Sequence, residues 1–241
     1  MRRSYNGSLS LFLFMAVLAL TGCVDLTGRS AAQLSPMRSE DKPRYQREGQ
    51  VYCILGWLGI WSRGMDVIAQ RVEKEVGVHA TSLANQEWRK LVIYLTAEHK
   101  AGRWYGPLVL VGHSYGCDDQ VRVSRQLNEK GIAVDLLLLV DPTTPGTIPP
   151  NVKRCVDIYK SHPGMDALPF FRGIKVQAAD PSRTLITNID LRRTDVGFAT
   201  GIIDHFNIAK IPGVQDMVLA EIRKTCLPRS PARPVARTAG R

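Results

Sequence analysis

The stretch that most restricts how this chain can fold is Pro107-Leu108-Val109-Leu110-Val111 running unbroken into Gly112-His113-Ser114-Tyr115-Gly116. A short apolar run of this kind reads as a buried strand. The next segment, Cys117 to Lys130, contains neither Gly nor Pro and reads as a helix. Gly-x-Ser-x-Gly between a strand and a helix describes a tight turn that pushes the serine hydroxyl out of the sheet. Both glycines have a steric reason, because a Cβ at either position would meet the neighbouring strand or helix. The five-residue pattern alone arises readily by chance, so its weight comes from the strand before it and the helix after it.

The rest of the body alternates in the same way. Val51 to Leu55 is a short apolar run stopped by Gly56, and Trp57 to Gly64 is a loop rich in Gly and Trp. Met65 to Val76 carries Val67, Ile68, Val72 and Val76 at helical spacing. Val78 to Leu83 is expected as a strand. Gln86 to Lys100 is an amphipathic helix with Trp88, Leu91, Val92 and Leu95 on one face. Further strands are expected at Leu108–Val111, Val134–Val140, Val152–Tyr159 and Arg183–Ile189, with a closing helix at Val214–Thr225. Near-continuous apolar strands alternating with helices imply an α/β fold, a mostly parallel central sheet covered on both faces. Ligands gather at the carboxyl ends of the strands in such sheets.

The two ends differ from this body. Arg2 and Arg3 precede an apolar stretch, Leu9 to Leu20, that is short for a membrane span. It ends in Leu20-Thr21-Gly22-Cys23, which resembles the lipobox of bacterial lipoproteins. That resemblance implies a signal peptide over residues 1–22 and a diacylated thiol at Cys23. It also implies a protein anchored to a membrane of the bacterial envelope and facing the periplasm or exterior. Residues 23–48 are polar and aperiodic and read as a flexible tether. The folded domain is then expected over residues 49–227, followed by a basic tail, 228–241, with three Pro, four Arg and no acid. Of the net charge of +10, the two leader arginines and the four tail arginines account for six. The remaining +4 is ordinary, and no basic face with interleaved aromatics argues for a nucleic-acid partner. Besides Cys23 there are four cysteines. Cys53 and Cys117 fall at expected core positions. Export permits disulfides, which leaves Cys155 and Cys226 free to pair.

Three residues at strand ends or in late loops form the candidate chemistry. Ser114 is the candidate nucleophile, and a serine hydroxyl needs an adjacent base to act at neutral pH. His205, in Asp204-His205-Phe206-Asn207, is the candidate base, with His162 its competitor. Asp141 ends the run Leu136 to Val140 and is the candidate orienting acid. Asp166 and Asp204 are its rivals, and its alternative role is a strand-end cap on Thr143 or Thr144. His113, beside the serine, is expected to point away from it.

Taken together, Val51 to Leu227 resembles the α/β-hydrolase superfamily, on the Gly112–Gly116 elbow, Asp141 after a strand and His205 near the end. The order Ser, Asp, His is that family's order. The resemblance implies a serine hydrolase acting on a small acyl ester or thioester. It also implies an oxyanion hole built from the backbone amides of Tyr115 and Trp57. Many members carry the acid one strand later. Here that strand ends in Tyr159-Lys160-Ser161, with no carboxylate at its end. Trp57 and Trp61 are candidates for an acyl-binding wall or for plain packing, and Phe170 and Phe171 for a small lid or packing. A non-catalytic envelope lipoprotein that uses the fold as a binding module, and an acyltransferase on the same site, are the other readings. No metal or nucleotide signature is present, so no cofactor is implied.

Overall fold

The structure is a computed structural model, and it describes Leu34 and residues 45–57, 59, 61–104, 106–166, 168 and 173–229. The leader 1–22, Cys23, most of the expected tether, Phe170, Phe171 and the tail from 230 onward lie outside the described residues.

Six strands form one sheet: β1 (Gln50–Ile54), β2 (His79–Leu83), β3 (Leu108–His113), β4 (Leu136–Val140), β5 (Arg154–Tyr159) and β6 (Leu185–Asp190). Every neighbouring pair is parallel, and the spatial order is β2-β1-β3-β4-β5-β6. The principal helices are α1 (Gly64–Arg71), α2 (Trp88–Lys100), α3 (Tyr115–Asn128) and α4 (Pro212–Thr225). The expected helix to Val76 ends in a wider turn, Val72–Val76, stopped by Gly77 with φ +76°. Other boundaries shift by a few residues because capping, rather than hydrophobic period, sets where an element ends.

Strand alternation divides the core in two. Val51, Cys53, Val109, Val111, Leu136, Leu138, Val140, Val156 and Ile158 pack against α1 and α4. Tyr52, Ile54, Leu108, Leu110, Leu137, Leu139 and Cys155 pack against α2 and α3. The five residues of β4 are fully buried, which explains their unbroken apolar run. Each large side chain so buried contributes about 1.5–3 kcal/mol of transfer free energy.

This partition also settles the expected cysteine pairing. Cys226 belongs to the α1/α4 side and Cys155 to the α2/α3 side of the sheet, and both are free and buried. They therefore do not pair. Cys53 and Cys117 are buried, as expected for small apolar residues.

The limits of the body differ from the sequence expectation by a few residues. Tyr45 is buried, Arg47 forms an antiparallel bridge with Pro228, and the Arg229 amide donates to the Gln46 carbonyl. Residues 45–48 and 228–229 thus belong to the folded unit because their backbone groups bond one another, a pairing invisible in local composition. No helix among the described residues is long and apolar enough to cross a membrane.

Candidate active site

The strand order creates the site. The chain leaves β1 towards β2 on one side, then returns to lay β3 on the other side of β1. The crevice at such a reversal opens at the carboxyl ends of the two strands. Ile54 lies opposite Gly112, so the Gly56-Trp57 loop and the serine turn emerge side by side. His113 lies opposite Val140, so Asp141 emerges next to them.

The turn is as tight as the two glycines implied. Ser114 has φ +56° and ψ −127°, a conformation rare for a residue with a side chain. A Cβ on Gly112 would sit 2.5 Å from the Gly116 carbonyl oxygen, inside the first turn of α3. One on Gly116 would sit 2.2 Å from the Ile54 carbonyl oxygen at the end of β1. Asp141 is the other non-glycine residue with positive φ among the described residues, at +53°. Strain of this kind clusters where a structure must aim a side chain.

Three side chains far apart in sequence meet here. Ser114 Oγ is 2.8 Å from His205 Nε2, and His205 Nδ1 is 2.6 Å from Asp141 Oδ2. All three residues are buried. With Nδ1–H donating to Asp141, Nε2 keeps its lone pair and accepts the Ser114 hydroxyl proton. A relay of this polarity can draw a proton from the serine and return it to a leaving group. Asp141 is itself held by its amide, which donates to the Ile158 carbonyl at 2.9 Å. The Lys160 amide approaches its Oδ1 at 3.4 Å.

The rivals are engaged elsewhere. Asp166 Oδ1 accepts from the His162 amide at 2.7 Å, inside its own turn. Asp204 Oδ1 accepts from the Phe206 and Asn207 amides at 2.8 and 2.9 Å. The cap on Thr143 and Thr144 comes from Asp118 of α3, not Asp141. Asp118 Oδ2 accepts the Thr143 hydroxyl at 2.7 Å, and the Thr144 amide donates at 3.0 Å. Burial raises the Asp118 carboxyl above its ordinary range, and these threonine bonds oppose that rise.

His113 lies beside the relay, its ring centroid 5.5 Å from that of His205. As the last residue of β3 it shares the face of Val109 and Val111, and the His205 loop crosses that same face. Its Nδ1 is 2.7 Å from Ser62 Oγ and its Nε2 2.9 Å from the His205 carbonyl oxygen. Burial, and secondarily the neighbouring His205, push its pKa down to about 3, so the ring is neutral.

A cavity of about 200 Å³ opens onto Ser114 and His205, lined also by Trp57, Trp61, Ser62, His113 and Phe206. The two tryptophans named from sequence are joined by Phe206, whose ring is 5.5 Å from those of Trp61 and His205. Tyr115 supplies the first amide of α3, which has no intrahelical carbonyl to bond. Trp57 lies in the loop after β1, in the cavity wall. A larger surface groove of about 470 Å³ runs along α2 and α3 past Trp88 and Ile93, and none of the residues just described lines it.

Sequence reasoning missed Ser62, Phe206 and two lysine and aspartate roles. The Lys160 ammonium donates to the carbonyls of Thr200, Gly201 and Ile203, at 2.8, 3.1 and 2.7 Å, and so ties down the loop that carries His205. Asp157, inside β5, is fully buried with no side-chain partner for its carboxyl among the described residues. Burial, then the charge of Asp141, raise its pKa well above the carboxylate range.

No family model matches this chain, and no curated protein does. Solved structures do. Human thioesterase 2 is 11% identical, with 73% of this chain and 95% of that one covered at a TM-score of 0.43. The Vlm2 thioesterase domain bound to a dodecadepsipeptide is 12% identical, covering 77% and 96% at 0.46. The RedJ thioesterase of the prodiginine pathway in Streptomyces coelicolor is 11% identical, covering 82% and 100% at 0.44. The six-stranded parallel sheet with helices on both faces is the fold class that the sequence implied.

Proposed function

We propose that this chain is a serine hydrolase that cleaves a carboxylic ester or thioester. The observation that carries the reading is the unbroken relay Ser114 Oγ, His205 Nε2, His205 Nδ1, Asp141 Oδ2, at 2.8 and 2.6 Å on a strained strand-to-helix turn. In this mechanism His205 takes the Ser114 proton as Oγ attacks the substrate carbonyl carbon. The tetrahedral oxyanion is held by the Tyr115 and Trp57 amides. His205 then protonates the departing alkoxide or thiolate, which leaves an acyl group on Ser114. Water, deprotonated by His205, attacks that acyl group, and Ser114 leaves with the proton returned. Asp141 keeps Nδ1 protonated and stabilises the imidazolium.

The acyl group this site suits is uncharged. Apart from the relay, His113 and Ser62, the described cavity wall is aromatic, and no Lys, Arg or carboxylate is among its described lining residues. A chromogenic ester panel of varied acyl length and a fluorophosphonate probe test the reading together. Wild type should be labelled and turn over, and Ser114→Ala should do neither. A folded wild type that resists the probe and hydrolyses no member of the panel overturns it. We infer from Leu20 to Cys23 that the enzyme is held at a bacterial membrane by a lipid on Cys23.

A further inference from the structure

We propose that His113 is a positioning residue for His205, held in one tautomer by Ser62 so that its Nε2–H fixes the backbone carbonyl of the base. The donor directions follow from the neutral state of the ring and the chemistry of its two partners. A carbonyl oxygen only accepts, so at 2.9 Å from the His205 oxygen His113 Nε2 must carry the hydrogen. A neutral imidazole has one N–H, so Nδ1 is then the acceptor. Its 2.7 Å partner, the Ser62 hydroxyl, must donate. The chain of bonds therefore runs one way, from Ser62 O–H to His113 Nδ1 and from His113 Nε2–H to the His205 carbonyl. Both residues are about 1–2% exposed.

The neutral state is part of the device. A second positive charge 5.5 Å from the His205 ring would oppose the imidazolium that must form there. Burial holds His113 uncharged through the working pH range, and the Lys210 charge pushes the same way. His205 has to address Ser114 and Asp141 at once, and a small shift of its backbone spoils both contacts. The opposite flank of its loop is tied by Lys160 through the carbonyls of residues 200, 201 and 203. His113 supplies the hold at residue 205 itself. The turnover part of this inference rests on the hydrolase reading, and the geometric part does not.

The test compares His113→Leu, His113→Gln and Ser62→Ala in the full chain. The glutamine amide nitrogen reaches about as far from Cα as an imidazole Nε2 and restores the donor, whereas leucine fills space without one. Expected for folded His113→Leu is a fall in kcat of about 10- to 100-fold with KM little changed, the scale of loss that ångström misplacement of a reacting group produces. His113→Gln should recover most of it, and Ser62→Ala should fall between. The far-downfield proton resonance of His205 Nδ1–H, identified by its absence in His205→Asn, reports the geometry without turnover. It should persist in wild type and His113→Gln and broaden or vanish in His113→Leu. If His113→Leu does not fold, Ser62→Ala and His113→Gln decide. A folded His113→Leu with wild-type kcat and an unchanged resonance overturns the proposal. So does a folded His113→Gln as impaired as the leucine variant, or a Ser62→Ala with no effect where leucine gives no folded protein. An inactive wild type that shows the expected pattern of resonances overturns the hydrolase reading and leaves the positioning role standing.

Discussion

Replacing Asp141 by Asn is the sharpest test of the relay, because the fold should accept the change and the proposed catalysis should not. Asp141 has φ +53°, in the left-handed region where Asn is the best tolerated residue after Gly. The backbone strain therefore stays about the same, and the side chain keeps its volume. The Lys160 amide approaches Oδ1, so the new amide oxygen belongs there and its NH₂ faces His205 Nδ1 at the 2.6 Å position. Two donors cannot share that contact. Nδ1 has to become the acceptor, and the imidazole proton moves to Nε2, where it meets Ser114 Oγ at 2.8 Å with no lone pair to receive the hydroxyl proton. A wrong tautomer of this kind costs about 10⁴-fold in kcat, or roughly 5 kcal/mol of transition-state stabilisation. The assay is kcat and KM on a chromogenic ester, beside a thermal melt to show that the variant is folded. Asp166→Asn, whose carboxyl only caps its own turn, should stay within a few-fold of wild type. A folded Asp141→Asn that retains a tenth or more of the activity refutes the assignment of the acid. The same loss from Asp166→Asn would do so too.

Two further outcomes follow from the packing and the sequence. Gly116→Ala should give little folded protein, because its methyl would lie 2.2 Å from the Ile54 carbonyl oxygen and 2.7 Å from that of Leu55, both backbone atoms that cannot step aside. A melting temperature within a few degrees of wild type would show the turn to be more yielding than these distances imply. Cys23→Ser should move the chain from the membrane fraction to the soluble one and abolish labelling by a fatty-acid analogue, since lipidation requires the thiol. Unchanged fractionation and labelling would remove the anchor from the reading.

What could be read from the sequence was whatever a local pattern encodes. β1, β3 and β4 were legible because both of their faces are buried, so the run of apolar residues is continuous. Ser114, Asp141 and His205 were legible because each follows a strand or precedes the last helix, and the sheet brings those points to one edge. Strand order was not legible, since the hydrophobic period of β1 says nothing about which strand lies beside it. Neither was the separation of Cys155 from Cys226, because the face on which a cysteine falls depends on how two distant elements share one core. Ser62 and His113 are 51 residues apart, and His113 and the His205 carbonyl are 92 apart. Contacts of that range leave no local trace. Phe206 offered the one missed signal, an aromatic residue next to the candidate base.

Asp157 was missed for a different reason: in Arg-Cys-Val-Asp-Ile-Tyr it passes for the polar face of an alternating strand, yet that face is buried. It explains how the acid can stand at the end of β4 without competition from β5. Two carboxyls near each other in an apolar setting do not share a charge equally; the better-bonded one keeps it. Asp141 has His205 and the Lys160 amide, whereas Asp157 has the Val176 amide and no side-chain partner among the described residues, and burial followed by the charge of Asp141 raises its pKa well above the ordinary carboxylate value. The sign of the stability effect is fixed by this. An acid whose folded pKa is raised stabilises fully below its unfolded pKa of about 3.9 and loses that contribution as pH rises towards the folded value. The folded state keeps a proton there that the unfolded chain has released. Wild type should therefore lose stability relative to Asp157→Asn by up to about 1.4 kcal/mol per pH unit above pH 4, until the folded carboxyl ionises. Denaturant titrations of both proteins from pH 4 to 8 measure the difference directly. Activity near neutral pH should stay within a few-fold of wild type, because one neutral group replaces another. A stability difference that is flat with pH means that Asp157 is ionised in the fold, and a catalytic loss as deep as that of Asp141→Asn means that the acid of the relay has been assigned to the wrong strand.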